Sequence, residues 1–209
     1  YLIDATEMGD VAHAAGLPYH VGLDARTDTG EPWAPAQARP IVQDMTYVMI
    51  LKQYNKPQTI ARPEGYDARE FRNCCINSLN DSNLKTKPWT AEMMMNYGRL
   101  PNGKYMINWP MWGNDYYLND VDYTPAQRDS AEKKAKAKSL RFLYFMQNEL
   151  GMHNLGLANE YPTADGMPFF PYYREGRRFA GRVLFTLNDI ISPYKQANPL
   201  YRTAVLVGD

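Results

Sequence analysis

The chain has 209 residues, enough for one substantial core or for a large domain with a small appendage, and its 23 Lys and Arg balance 23 Asp and Glu. That balance argues against a nucleic-acid backbone or an anionic membrane surface as partner, and no apolar run approaches the roughly 20 residues that span a bilayer. It leaves a partner of low charge, and the 16 Tyr and 4 Trp suit the stacking of flat or ring-shaped ligands as well as the filling of a core.

Tyr1–Ala5 is predicted as a strand, Thr6-Glu7-Met8 as a polar turn, and Gly9–Ala15 as a short helix closed by Gly16. Termini usually fray, so a strand at residue 1 suggests a chain cut from a longer one. No signal peptide is visible. Residues 21–39 are rich in Gly, Pro, Asp and Thr and read as an irregular excursion. Thr46–Leu51 is a continuous β-prone apolar run, as in a buried strand.

Asp67-Ala-Arg-Glu70 has the spacing of a capping box, opening a helix with Phe71, Cys75 and Leu79 on one face. A disulfide between the adjacent Cys74 and Cys75 would close a strained ring, so both are expected as free thiols in the core. Neither they nor the scattered His13, His20 and His153 have metal-site spacing. A second short helix is predicted over Thr90–Tyr97, ended by Gly98 and packed through Met93-Met94-Met95, with a strand near 104–109.

The clearest helix runs from the cap Thr124 to about Leu150. Pro125 takes the first helical position, Gln127 completes a Thr-x-x-Gln box and Gly151 supplies the stop. Residues 131–138 read as a solvated face, whereas Leu140, Leu143, Tyr144, Gln147 and Leu150 form the buried side. A Gly/Pro-rich loop, a basic turn from Tyr172 to Arg178, a strand near Arg182–Leu187 and a terminal strand Thr203–Val207 ending in Gly208-Asp209 follow. The predicted fold is α+β: a mixed or antiparallel sheet from strands near 46–51, 104–109 and 182–187, covered by one long and several short helices, with the termini close together.

Chemistry has several candidate places. The turn Ala5-Thr6-Glu7 presents backbone N–H groups at a helix start, and Gly208-Asp209 pairs a close backbone approach with a carboxylate for hydroxyls; each also reads as a capped turn. Arg174, Arg177 and Arg178, with Glu175, either meet an anionic or hydroxylated ligand or form an ion-pair network that holds the turn onto the sheet. Tyr172 can donate to a substrate hydroxyl or pack. Five aromatics in 105–117, Trp109 and Trp112 among them, stand with Asn108, Asn114 and Asp115 and suit either sugar binding or a plug beneath a cap. His153 is a candidate base for alcohol oxidation, or an ordinary loop histidine.

"YLIDATEMGD" at 1–10 resembles the strand ending in Ala-Thr-Gly at which many flavoproteins of the glutathione-reductase-like FAD superfamily leave the FAD domain, with Glu7 in place of the glycine. "TAVLVGD" at 203–209 resembles the later strand that returns to the flavin. "PTADGMPFFPYYREGRRFAGRVLFTLNDI" at 162–190 is similar to the Arg-Glu-Ser-Arg-Arg-Ile-x-Gly segment of the FAD-dependent oxidoreductase family whose bacterial members are sometimes labelled "xanthan lyase"; Gly176 replaces the serine and Phe179 the isoleucine.

The resemblance implies an edge of an FAD-binding domain at 1–16, a substrate or cap domain at 17–200 and a returning strand at 201–209. It puts Ala5, Thr6, Glu7, Gly208 and Asp209 near FAD and favours a ligand-facing role for Arg174, Arg177 and Arg178; from the residues themselves, Trp109 and Trp112 are the substrate-side candidates and His153 and Tyr172 the catalytic ones. The partners it implies are the rest of the FAD domain and a small, carbohydrate-related substrate that gives a hydride to the flavin. No Gly-x-Gly-x-x-Gly loop occurs in the 209 residues, so this chain alone is expected to hold FAD poorly and to be inactive. The compartment stays open between bacterial cytoplasm and periplasm. Two further readings are a carbohydrate-binding module built on 105–117 and a polysaccharide lyase using Arg177 with Tyr172 or His153.

Overall fold

The computed structural model describes residues 1–109 and 111–195. The chain divides into two units, one made of Tyr1–Val42 and Glu175–Asp209, the other of Gln43–Arg174. The strand expected at 203–207, with Gly208 and Asp209, lies outside the described residues.

The first unit opens without the expected strand. Among the described residues no chain pairs with Tyr1–Ala5, and Leu2 and Ile3 are exposed. Local polar chemistry holds the segment instead: the Asp4 carboxylate accepts from the amide and hydroxyl of Thr6 and from the amide of Ala12. Helix α1 (Asp10–Ala14) then starts at Gly9, whose φ of 70° puts it in the left-handed region where glycine carries no Cβ penalty. Strand β1 (Tyr19–His20) and the single-turn helix α2 (Arg26–Thr29) complete this segment.

The second unit contains the main core. The predicted run 46–51 is divided into β2 (Met45–Thr46) and β3 (Met49–Gln53). The break has a visible cause. The Tyr47 carbonyl accepts from the Asn114 amide and the Ser139 hydroxyl, so its hydrogen bond is made by side chains and the chain is free to change sheets. The helix expected after Asp67 is one 3₁₀ turn, Ala68–Phe71, although Asp67 caps it through the Arg69 amide. Asn77 and Asn80 both donate to the carbonyls of Arg72 and Cys75, competing for the acceptors that a longer helix would use. Phe71, Cys74 and Cys75 are nonetheless buried, both cysteines as free thiols.

Helix α3 (Ala91–Tyr97) matches its expected span, with Thr90 accepting from the Met93 amide. It leads into β4 (Arg99–Leu100) and β5 (Lys104–Ile107), and β6 (Asp115–Tyr116) follows. Helix α4 (Pro125–Asn148) has the full reciprocal box between Thr124 and Gln127, and Gly151 lies just beyond it at φ 70°. With β7 (Leu155–Leu157), the larger sheet has the order β4-β5-β3-β7, every pair antiparallel, and β2 pairs separately with β6.

Phe142, Phe145 and Met146 of α4 close over Met45, Met49, Leu51 and Phe71. Of the face expected to be buried, Leu143 and Gln147 are buried, while Leu140, Tyr144 and Leu150 are half-buried. Gln147 is a satisfied buried amide: it donates to Gln58 and Leu155 carbonyls and accepts from the Ile60 amide.

No strand forms at 182–187. The chain pairs earlier, through β8 (Arg178–Phe179) against β1, and Val183, Leu184 and Phe185 are exposed. Thr186 and Asp189 then box the start of α5 (Leu187–Ile191). The fold is α+β with antiparallel sheets, as the sequence predicts.

Candidate functional site

Three tryptophans of the second unit converge on one cleft of about 460 Å³, a size that suits a small ring-shaped molecule. Trp109, just after β5, is fixed at both ends. Its backbone amide donates to the Asn114 side-chain Oδ1 and its indole N–H to the Cys74 backbone carbonyl. Gly113 lets this loop close, since a Cβ there would stand 2.3 Å from the Trp109 carbonyl oxygen. Trp89 precedes the cap of α3 and Tyr97 ends that helix. Ring centroids lie 5.4 Å apart for Trp89 and Trp109, 5.5 Å for Tyr97 and Trp109, and 6.1 Å for Trp89 and Tyr97.

Trp112 adds a further wall. It and Met111 have positive φ, 62° and 43°, in residues that carry a Cβ, a strain of roughly 1–3 kcal/mol each that the surrounding structure must over-determine. The Arg72 guanidinium lies 4.2 Å from the Trp112 ring centroid, and both oxygens of Asp81 hold that guanidinium. Arg72 and the Asn73 amide keep the Asp81 carboxyl below the usual carboxylate range. The cleft thus has apolar aromatic faces held by polar contacts behind them.

Trp109 and Trp112 are therefore brought together, with Trp89 and Tyr97, which sequence reasoning missed. Trp89 stands just before the N-cap of α3 and Tyr97 at its C-terminal end, and nothing in that spacing marks them as neighbours.

The three arginines are elsewhere and are committed to protein acceptors. Arg174 is 12% exposed and donates to the Asp44 carbonyl, Thr46, Asn108 and Asp115, with the Tyr172 ring 5.2 Å from it. Arg177 is 3% exposed and donates to the Met8 carbonyl and Asp10. Arg178 reaches Asp24 at 3.0 Å and Glu175 at 3.7 Å, and its neighbour across the strand pair, His20, meets the other Asp24 oxygen at 2.9 Å. Tyr172 is half-exposed and its backbone bridges to Thr46; His153 lies exposed in a turn.

Ala5, Thr6 and Glu7 are exposed in the turn before α1. The amides of Thr6 and Ala12 are already used by the Asp4 carboxylate, and that of Asp10 by the Thr6 hydroxyl. With Asp4, Glu7 and Asp10 all acidic, the turn does not fit a pyrophosphate. Among the described residues no cluster of His, Cys, Asp or Glu could hold a metal ion, and no helix is long and apolar enough to cross a membrane.

Neither the curated proteins nor the solved structures contain a match to the chain. A family model for FAD dependent oxidoreductases does match it, over residues 1–206. Coverage of nearly the whole length carries the assignment that motifs at the two ends and at 162–190 suggested: the chain belongs to the FAD-dependent oxidoreductase family, and its role is FAD-linked redox chemistry.

Proposed function

We propose that this chain forms the substrate side of an FAD-dependent oxidoreductase and that the tryptophan cleft receives a hydroxylated, ring-shaped substrate of carbohydrate type. The convergence of Trp89, Tyr97, Trp109 and Trp112 on one cleft carries this reading. The faces of a sugar ring are apolar C–H surfaces that stack on indoles, while its hydroxyls remain available at the edge. In the oxidation of an alcohol carbon, the hydride goes to the oxidised cofactor and the hydroxyl proton to a base. The part of this chain is to hold the ring still.

The acidic, self-capped turn at 4–10 and the lack of a Gly-x-Gly-x-x-Gly loop both support anchorage of the FAD pyrophosphate outside the described residues, as in the glutathione-reductase-like superfamily. On this reading the 209 residues alone are inactive.

Intrinsic tryptophan fluorescence tests the cleft. Titration of the chain with mono- and disaccharides is expected to give saturable quenching. Trp112→Ala, an exposed position, should weaken binding about 2- to 13-fold, the equivalent of one aromatic contact. A folded protein whose fluorescence responds to none of these ligands would remove the proposal.

A further inference from the structure

We propose that the tryptophan cleft prefers rings that carry a carboxylate, binding sugar acids over neutral sugars, through Lys85 and Lys87 on its rim. This rests on the reading of the cleft as the ring-binding site. Both lysines line the cleft together with the aromatic wall, and both are exposed. Among the described residues no acidic one lines it. Among the described residues neither ammonium group has a carboxylate partner.

Three other lysines of the same unit do have carboxylate partners. Lys133 is paired with Asp129, Lys136 with Asp165, and Lys104 with Glu160. Arg72, which lies against the Trp112 ring, is paired with Asp81. Two unpaired positive charges therefore stand over an apolar wall in a protein whose formal net charge is zero. Pro88 follows directly and biases Lys87 to extended backbone, which limits the directions from which its side chain leaves the chain.

A ring that stacks on the indoles and carries a carboxylate at its edge meets both features, whereas an open-chain acid meets only the charges and a neutral sugar only the wall. The attraction is solvent-exposed, so it is modest and salt-sensitive.

The test uses the 209-residue chain and follows tryptophan fluorescence with glucuronate, glucose and open-chain gluconate. Glucuronate is expected to bind about fivefold tighter than glucose at low salt. That advantage should shrink between about 0.05 and 0.5 M salt. It should vanish in the double variant Lys85→Gln/Lys87→Gln, which alters exposed side chains only, and gluconate should bind more weakly than glucuronate. Equal affinity for glucuronate and glucose, or a preference that survives the double variant, overturns this inference while leaving the cleft as a ring site. Gluconate binding as well as glucuronate overturns the need for a ring. Absence of any response to all three ligands overturns the underlying reading as well.

Discussion

Tyr173 has one phenolic proton and two acidic neighbours. Its oxygen lies 2.9 Å from Asp120 and 3.2 Å from Glu132, and the Tyr47 hydroxyl reaches the other Glu132 oxygen at 3.3 Å. One proton cannot serve two carboxylates, so a second proton on the cluster is favoured. Asp120 is 2% exposed, and burial pushes its carboxyl above the usual range, against the lowering effects of Tyr173 and the Arg128 charge. Between the ordinary Asp value and that raised value, the folded state holds a proton that the unfolded chain has released. Asp120 therefore costs stability progressively as pH rises through that window, and the cost is complete above it. Asp120→Asn is expected to raise the urea midpoint at pH 7 and to leave it nearly unchanged at acid pH. Equal midpoints for both proteins across the range would contradict this. None of it was legible in the sequence, since Asp120 and Tyr173 are 53 positions apart and nothing local marks either. The cysteine pair was legible, because ring strain between adjacent residues is decided by covalent geometry alone.

At the scale of elements, the same division between local and distant causes holds. The limits of α4 were readable because a cap is made by neighbours: the Thr124 amide donates to the Gln127 side chain, and the Thr124 hydroxyl accepts from the Gln127 amide. Its buried face was readable only in part. The polar first half buries Ala131 and Ala135, small residues that admit close approach without making an apolar stripe, and the second half buries Phe142, Phe145 and Met146. The expected strand at 182–187 fails for a related reason. Apolar β-prone residues form a strand only where a partner edge exists, and β1 offers two residues, which pair with Arg178 and Phe179. Two substitutions separate cap from core in α4. Thr124→Ala should cost about 1 kcal/mol through the lost cap. Phe145→Ala should cost about 3–5 kcal/mol through the cavity, because its ring contacts both Phe71 and Phe142. Chemical denaturation that ranked the two in the opposite order would mean that α4 is held by its end rather than its face.

For the whole molecule, α+β was legible from the mixture of short β-prone runs and one long capped helix, whereas the family came from specific motifs and the cleft from packing that no periodicity encodes. Every residue of the main hydrophobic core, from Met45 to Met167, belongs to the unit Gln43–Arg174. So do Trp89, Trp109 and Trp112 and the rim lysines. A segment that contains its own hydrophobic core meets the main physical requirement of an independent domain. Expressed alone, residues 43–174 should therefore unfold in one cooperative transition and quench with ring ligands as the full chain does. Both the full chain and this segment, mixed with FAD and desalted, should lose the flavin absorbance, because neither contains a Gly-x-Gly-x-x-Gly loop to anchor the pyrophosphate. Ligand binding that required residues 1–42 would instead place part of the ring site in the other unit, and flavin retained by the full chain alone would place a cofactor contact there as well.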